Sequence, residues 1–540
     1  MLQPNQAAID ANNLLHVCLL QADIATRKYG PALATSLPAV ELVGDSLSKL
    51  AYDIRPTAAW DNGRPVTARD VEFTLKLMFC PGLPNEVARN RYRFIRAVLT
   101  DPKAPQHFTL VCRGQALEYV EASGDFFILP EAALDPRGHL RCFSLADLQK
   151  RAATAPPDSA LQALAQRYQA AGAGRHPGQV PGCGPYQLVK WEKDRYLTFR
   201  RKPQWWADRL RPVPVVLQAR PKELDYVIIP DAATATLALR RGDIDVYPQI
   251  PAREFARLRA SPTAAALNFY STTSYDVVIA GFNTRRAHLS DARTRRALSR
   301  FFDAAGLLKA TQLGAGQRTA GVISPIEKEN YNDSLALTPF DPAGATALLR
   351  QAGWQRGPAP GTGWTRKSAN GKPQQLRLAM RYRAEGSLFS TVALQFQAAA
   401  AGFDIPVTLQ PTESGAFSSS LKAGDFDVYV GVRKGNPFMF NFTPVFHSLG
   451  IDAGNTTGFS SPASDQLIEA IAAADSKAHR TQLLRRFQAL LQQEAPIVPL
   501  FFLPNRIVAS RQLSNLHVGS LKPGFMATTI ERAPQPSAVP

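Results

Sequence analysis

Two short acidic repeats hold the residues whose spacing comes closest to a chemical site. Arg241-Gly242-Asp243-Ile244-Asp245-Val246-Tyr247 and Ala423-Gly424-Asp425-Phe426-Asp427-Val428-Tyr429 each set two carboxylates two positions apart behind a glycine. Paired carboxylates attract cations, but a calcium loop needs about six to eight oxygen ligands from a longer acidic segment. The glycine before each pair and the apolar run after it describe a turn that opens a strand. The histidines, His16, His107, His139, His176, His288, His447, His479 and His517, include no i, i+4 pair to present two imidazoles to one metal. No GxxxxGK[ST] phosphate cradle, GxSxG elbow or HExxH helix occurs. Nothing singles out an acid and a base among the carboxylates. The sequence therefore points to no catalytic residue, no metal and no cofactor, and the protein is expected not to be an enzyme.

The cysteines, Cys18, Cys80, Cys112, Cys142 and Cys183, lie tens of residues apart without a CxxC, so they form no metal cluster and no disulfide framework. One bridge in an oxidising compartment stays open, and the spacing selects no pair. Lys and Arg number 62 against 44 Asp and Glu, a formal charge of +18. Such an excess raises polyanion binding as a function class. The arginines, however, come as isolated pairs such as Arg200-Arg201, Arg295-Arg296 and Arg485-Arg486, with no block of five like charges, which describes a solvated basic surface. No nucleic-acid partner is expected.

These residues must be positioned by several domains, since 540 residues correspond to three or four units of about 150. With 45% hydrophobic and 20% charged residues the composition is that of a soluble globular protein. No apolar run approaches the ~20 residues of a membrane helix, and Leu14 to Leu20 is short and interrupted by His16 and Cys18, so no secretory signal is read at the start. Short β-rich runs alternate with amphipathic helices, an α/β pattern. Thr67 with Asp70 three residues on starts a helix that buries Val71, Leu75, Met78 and Phe79. A second starts near Ser290 and Asp291 and buries Ala297, Leu298, Phe301 and Phe302. A third runs from about Ser476 to Glu494 until Pro496 stops it, and 497–503 reads as a buried strand. Residues 355–374, rich in Gly, Pro, Ser, Thr and Lys, read as a surface loop, and 531–540 as a frayed tail.

Blocks from about 20 to 510 resemble, in order, extracellular solute-binding proteins of family 5, the peptide-, dipeptide- and nickel-type binding proteins of ABC transporters. Leu19 to Asp23 leading to Tyr29-Gly30-Pro31-Ala32-Leu33-Ala34 is similar to the family's opening. Trp60-Asp61-Asn62-Gly63-Arg64-Pro65-Val66-Thr67-Ala68-Arg69-Asp70-Val71 resembles W-x-D-G-x-P-x-T-A-x-D-V. Gly182-Cys183-Gly184-Pro185-Tyr186 with Trp191 and Leu197 to Trp206 resembles G-T-G-P-Y…W…L-x-x-N-P-x-Y-W, with Cys183 for threonine and Lys202 for asparagine. Phe282-Asn283-Thr284, Asp291, Arg293, Arg295-Arg296-Ala297 and Asp303 resemble F-N-T…D-x-R-V-R-x-A…D-R. Ala347-Leu348-Leu349 with Ala352-Gly353-Trp354, then Asp465 to Ile468, Arg480 and Pro496 to Leu500, resemble the closing blocks.

The resemblance implies an α/β fold, a two-lobed periplasmic binding protein clamp, type II and cluster C-like, with an extra subdomain in the first lobe. Lobe I is expected at 1–44, 178–274 and 505–540, the extra subdomain at 45–177 and lobe II at 275–504. It further implies the solute-binding component of an ABC importer that delivers a peptide or peptide-like solute to an inner-membrane permease. The protein is expected to be a monomer, periplasmic or lipid-anchored in the cell envelope. A periplasmic sensor or chaperone-like binding protein on the same fold, or a binder of an anionic, opine-like or sugar-like solute, stays open. In peptide-binding relatives an aspartate after a G-W-type turn pairs with the peptide's amino terminus. The matching stretch is Gly431 to Phe438, where Asn436 stands without a charge and Arg433 and Lys434 would repel an ammonium group. The expected ligand-binding residues are Arg433, Lys434, Asn436, Phe438, Phe501 and Phe502, unless both cations simply face solvent. Ligands lacking the free amine are expected to be preferred, with Asp452 as a substitute acid otherwise.

Overall fold

Asp70 fixes the start of the first helix read from the sequence. In the computed structural model its Oδ2 accepts from the Thr67 backbone N–H at 2.9 Å and from Thr67 Oγ1 at 3.2 Å, and the helix runs Ala68–Met78. The structure describes residues 6–44, 46–116, 118–154, 159–172, 180–359, 361–367, 371–435, 437–438, 440–451 and 454–532. Asn436, Asp452 and most of the 531–540 tail thus lie outside the described residues.

The chain divides into two compact units, Met1–Ile250 with Arg257–Tyr270 and Ile507–Pro540, and Pro251–Ala256 with Ser271–Arg506. In the first, a four-stranded antiparallel sheet has the order Ala39–Val43, Leu47–Asp53, Ala104–Arg113, Ile95–Asp101. The helix Ala68–Met78 adds Val71, Phe73, Leu75 and Met78 to the same core as Leu50, Phe108 and Leu110. A second sheet joins Tyr186–Glu192, Tyr196–Arg201 and Glu223–Val227. The Gly182-Cys183-Gly184 turn packs against the chain at Leu14 to His16, where a Cβ on Gly184 would sit 2.5 Å from the Leu14 carbonyl oxygen. Trp205 and Trp206 both donate their indole N–H to the Cys183 carbonyl, at 2.9 and 2.7 Å. Gly184→Ala is therefore expected to cost about 1–3 kcal/mol, the usual penalty for forcing atoms into a packed interior, read as an earlier urea midpoint. An unchanged midpoint would contradict this close approach.

The second unit is built on a mixed sheet. The strand Leu267–Phe282, which the chain enters from the first unit, pairs antiparallel with Val428–Lys434, and Leu378–Arg383 runs parallel to both Val428–Lys434 and Val407–Thr412. Side chains alternate between faces along a strand. Val278, Ala280 and Phe282 accordingly enter one hydrophobic core, while Val277 and Ile279 enter another. A sheet covered on both faces needs continuous apolar runs, which is why 277–282 reads without polar interruption. The helix Ala292–Ser299 starts on Asp291, whose Oδ2 accepts from Thr294 N–H at 3.1 Å. Phe301 and Phe302 lie beyond its end and are buried. The helix Lys477–Glu494 closes on Ala495 before the strand Ile497–Ser510.

One expectation needs correction. Residues 355–374 are not simply a loop, because Gln355–Arg356, Trp364–Lys367 and Pro373–Gln375 form a small antiparallel sheet. Trp364 is 1% exposed and donates its indole N–H to the Phe403 carbonyl at 2.7 Å, an anchor that outweighs the turn-rich composition around it.

Candidate functional site

The acidic repeats are turns. Gly242 and Gly424 end helices Ala232–Arg241 and Ser414–Ala423 in the left-handed conformation, with φ of 78° and 70°, which glycine adopts without steric cost. Strands Val246–Pro248 and Val428–Lys434 follow. Three of the four carboxylates are engaged by the protein itself. Asp425 pairs with Arg381 at 2.6 Å, and Asp427 accepts from the Ala379 N–H at 2.8 Å and meets His288 at 3.1 Å. Asp245 pairs with Arg532.

The end of Val428–Lys434 holds the expected ligand-binding cations. Arg433 stands opposite Val277 and Lys434 opposite Asp276, and the Gly435 N–H donates to the Tyr275 carbonyl at 2.9 Å. Because consecutive strand residues face opposite ways, the two cations do not form one patch. Arg433 is half-buried on the face of Val277, its guanidinium 5.1 Å from the centre of the Phe446 ring. Burial lowers the Arg433 pKa from its ordinary value, and nearby Tyr429 opposes that shift. Phe446 belongs to a ring cluster with Phe442 and Phe487, at 4.8 to 6.3 Å between centres. Lys434 is exposed on the other face, directly across from a carboxylate.

The aromatic expectations divide as well. Phe438 is half-buried just beyond the strand. Phe501 and Phe502 are both 0% exposed, one in each core of the second unit. Their inclusion among ligand-binding residues is corrected here: neighbours on a strand covered on both faces each point into packed side chains and offer no surface to a solute. Two groups that the sequence reading missed sit at this strand end. Asp276 faces Lys434, and the Tyr275 hydroxyl donates to Glu327 Oε1 at 2.6 Å. Only the pairing of Leu267–Phe282 with Val428–Lys434 brings them near Arg433 and Lys434; the sole sequence signal is the polar Ser274-Tyr275-Asp276 just before the apolar run.

Residues 28–448 match the model of the bacterial extracellular solute-binding proteins, family 5 Middle. The chain belongs to this family. The fold is that of family 5: the oligopeptide-binding protein AppA from Bacillus subtilis, solved in complex with a nonapeptide, superposes with a TM-score of 0.76 at 18% identity, over 98% of this chain and 95% of that one. This family 5 chain is 26% identical over 493 residues to the probable di/tripeptide-binding protein 5 of Pseudomonas aeruginosa, covering 87% of this chain and 81% of that protein. It is 24% identical over 515 residues to the peptidoglycan-binding protein YepA of Agrobacterium fabrum, covering 86% and 76%. Family 5 is a family of solute-binding proteins, and its name places its members outside the cell membrane. No helix among the described residues is long and apolar enough to cross a membrane.

Proposed function

We propose that this protein is the solute-binding component of an ABC importer and captures a peptide whose amino terminus is blocked, delivering it to a membrane permease as a monomer. Lobes at 1–44, 178–274 and 505–540 and at 275–504, with 45–177 as an extra subdomain, are part of the same reading. The observation that carries it is the family match over residues 28–448, combined with relatives named for di/tripeptides and for peptidoglycan. The preference for a blocked amine rests on the stretch after Gly431. Its described residues carry Arg433 and Lys434 and no acid, and a buried ammonium without a carboxylate keeps its full desolvation cost. On this reading Lys434 supplies a cation for ligand oxygens on one face of the strand, Arg433 one on the opposite face, and Phe438 an apolar contact.

Calorimetry with one tripeptide in free-amine and N-acetylated forms tests the reading. The acetylated form is expected to bind at least about tenfold tighter, a difference of roughly 1.4 kcal/mol. Equal or tighter binding of the free amine, abolished by Asp276→Asn, would instead assign amine recognition to Asp276. If neither form binds, the peptide reading fails.

A further inference from the structure

The sheet end that carries Lys434 holds a further cation that the sequence reading passed over. Leu378–Arg383 lies between Val407–Thr412 and Val428–Lys434 and runs parallel to both. From its carboxyl end the chain enters the helix Ser387–Ala401 and reaches Val407–Thr412 on one side. Only then, through the helix Ser414–Ala423, does it reach Val428–Lys434 on the other side. Where the strand order reverses in this way a crevice opens outside the carboxyl ends, the usual place for a ligand in a parallel α/β sheet.

Arg383 and Arg433 stand at that place. Tyr382 is level with Val430, so Arg383 is level with Gly431 and Arg433 lies two residues further along the neighbouring strand. At 3.3 Å per residue and 4.8 Å between strands, their Cα atoms are roughly 8 Å apart. The two side chains are held alike. The Arg383 guanidinium lies 4.6 Å from the centre of the Phe389 ring, as that of Arg433 lies 5.1 Å from the centre of Phe446. Both residues are half-buried, and neither makes a hydrogen bond or ion pair with a described residue. Their nitrogens still keep accessible surface, so a solute can reach them. Arg381, two residues before Arg383, shows the contrast, with Asp425 2.6 Å away.

The acids near Arg383 are spent on backbone donors. Glu385 accepts from the Ser414 N–H at 2.9 Å, and Glu413 from the N–H groups of Gly415 and Ala416 at 2.9 and 3.2 Å. A partly buried cation without a counter-charge keeps its desolvation cost, and a charge-assisted bond to an oxyanion offsets it. A ring against one side of a guanidinium leaves its in-plane N–H groups free for a carboxylate. Phe389 and Phe446 belong to the cores on opposite faces of the sheet, so the two cations flank the crevice and a single carboxylate does not bridge them.

We propose that Arg383 and Arg433 receive a solute with an acidic group at each end, the group that blocks its amino end being itself acidic and lying on Arg433. This rests on the blocked-peptide reading for which end meets Arg433, and it narrows the solute to a dianion.

The test is calorimetry on the full chain with N-succinyl-dialanine, which carries two carboxylates, and with two analogues that each lose one of them. N-succinamoyl-dialanine has an amide in place of the acyl acid, and N-succinyl-dialanine amide has one in place of the terminal acid. The dianion is expected to bind at least about tenfold tighter than either analogue, a comparison made on the unsubstituted protein that requires no variant to fold. Arg433→Gln should erase the gap between the dianion and the succinamoyl analogue, and Arg383→Gln the gap between the dianion and the terminal amide. The proposal is overturned if the dianion binds no tighter than the analogues, or if Arg433→Gln leaves the succinamoyl gap intact. Binding of N-acetyl-trialanine, with no gain from the second acid, would overturn the dianion and leave the blocked-peptide reading standing. If none of these ligands binds, both fall.

Discussion

Lowering the pH from 7 to 4 is expected to cost the native protein about 3 kcal/mol of stability through His16 alone. His16 is 8% exposed, its Nδ1 is buried without a hydrogen-bond partner among the described residues, and burial, reinforced by the nearby Lys202 charge, lowers its pKa from 6.5 to about 3. Between those values the unfolded chain binds a proton that the folded chain refuses, so stability rises with pH across the window and falls as acid is added. Each pH unit inside it is worth about 1.4 kcal/mol. Above 6.5 both states are neutral at this ring and the dependence ends. Urea unfolding followed by the fluorescence of the buried Trp205 and Trp206, in the same unit, reads the effect at pH 7, 5.5 and 4. His16→Gln should flatten the curve by about that amount relative to the unsubstituted protein. Identical pH slopes for the two proteins would show that His16 takes up its proton in the folded state.

Replacing Arg295 by methionine is expected to destabilise the protein by about 3–5 kcal/mol, the range for removing one partner of a buried charged network. Arg295 is 2% exposed. Its Nε and Nη2 donate to the Glu494 carbonyl at 3.0 and 2.6 Å, and its Nη1 donates to the carbonyls of Leu289 and Ser290, both at 2.8 Å. Glu494 ends the helix Lys477–Glu494, where the last carbonyls have no partner within the helix and the dipole favours a cation. Burial lowers the guanidinium pKa to about 10, which leaves it charged at neutral pH. Arg295→Lys should recover only part of the loss, because one ammonium lacks the fork that reaches both sets of carbonyls. Chemical denaturation of the three proteins measures this, and a methionine variant within about 1 kcal/mol of the original would contradict the assigned role.

The two arginines of the Arg295-Arg296 pair show how far a sequence carries function. Adjacent on one helix, they have the same chemistry and the same local context. Arg295 turns inward to the end of another helix nearly 200 residues away, whereas Arg296 lines a cavity. No local pattern separates these fates, since the partners are chosen by packing between distant segments. Arg433 and Lys434 divide in the same way, and here the period of two along a strand would have separated them once the strand was recognised.

What the sequence by itself determined is the local grammar and the family. Capping by Thr67 with Asp70 and by Asp291, the glycine turns at Gly242 and Gly424, the stop before Ile497 and the ordered blocks from Trp60 to Pro496 are all short-range or motif signals, and hydrogen bonding and backbone sterics within a few residues suffice to make them legible. Tertiary structure alone decided the rest. It buried Phe501 and Phe502 in opposite cores, set Asp276 across from Lys434 and drew 355–374 into a sheet around Trp364. Each of these depends on which strand pairs with which and in what register. That choice is made by burying apolar surface summed over the whole unit, a quantity that no window of the sequence contains.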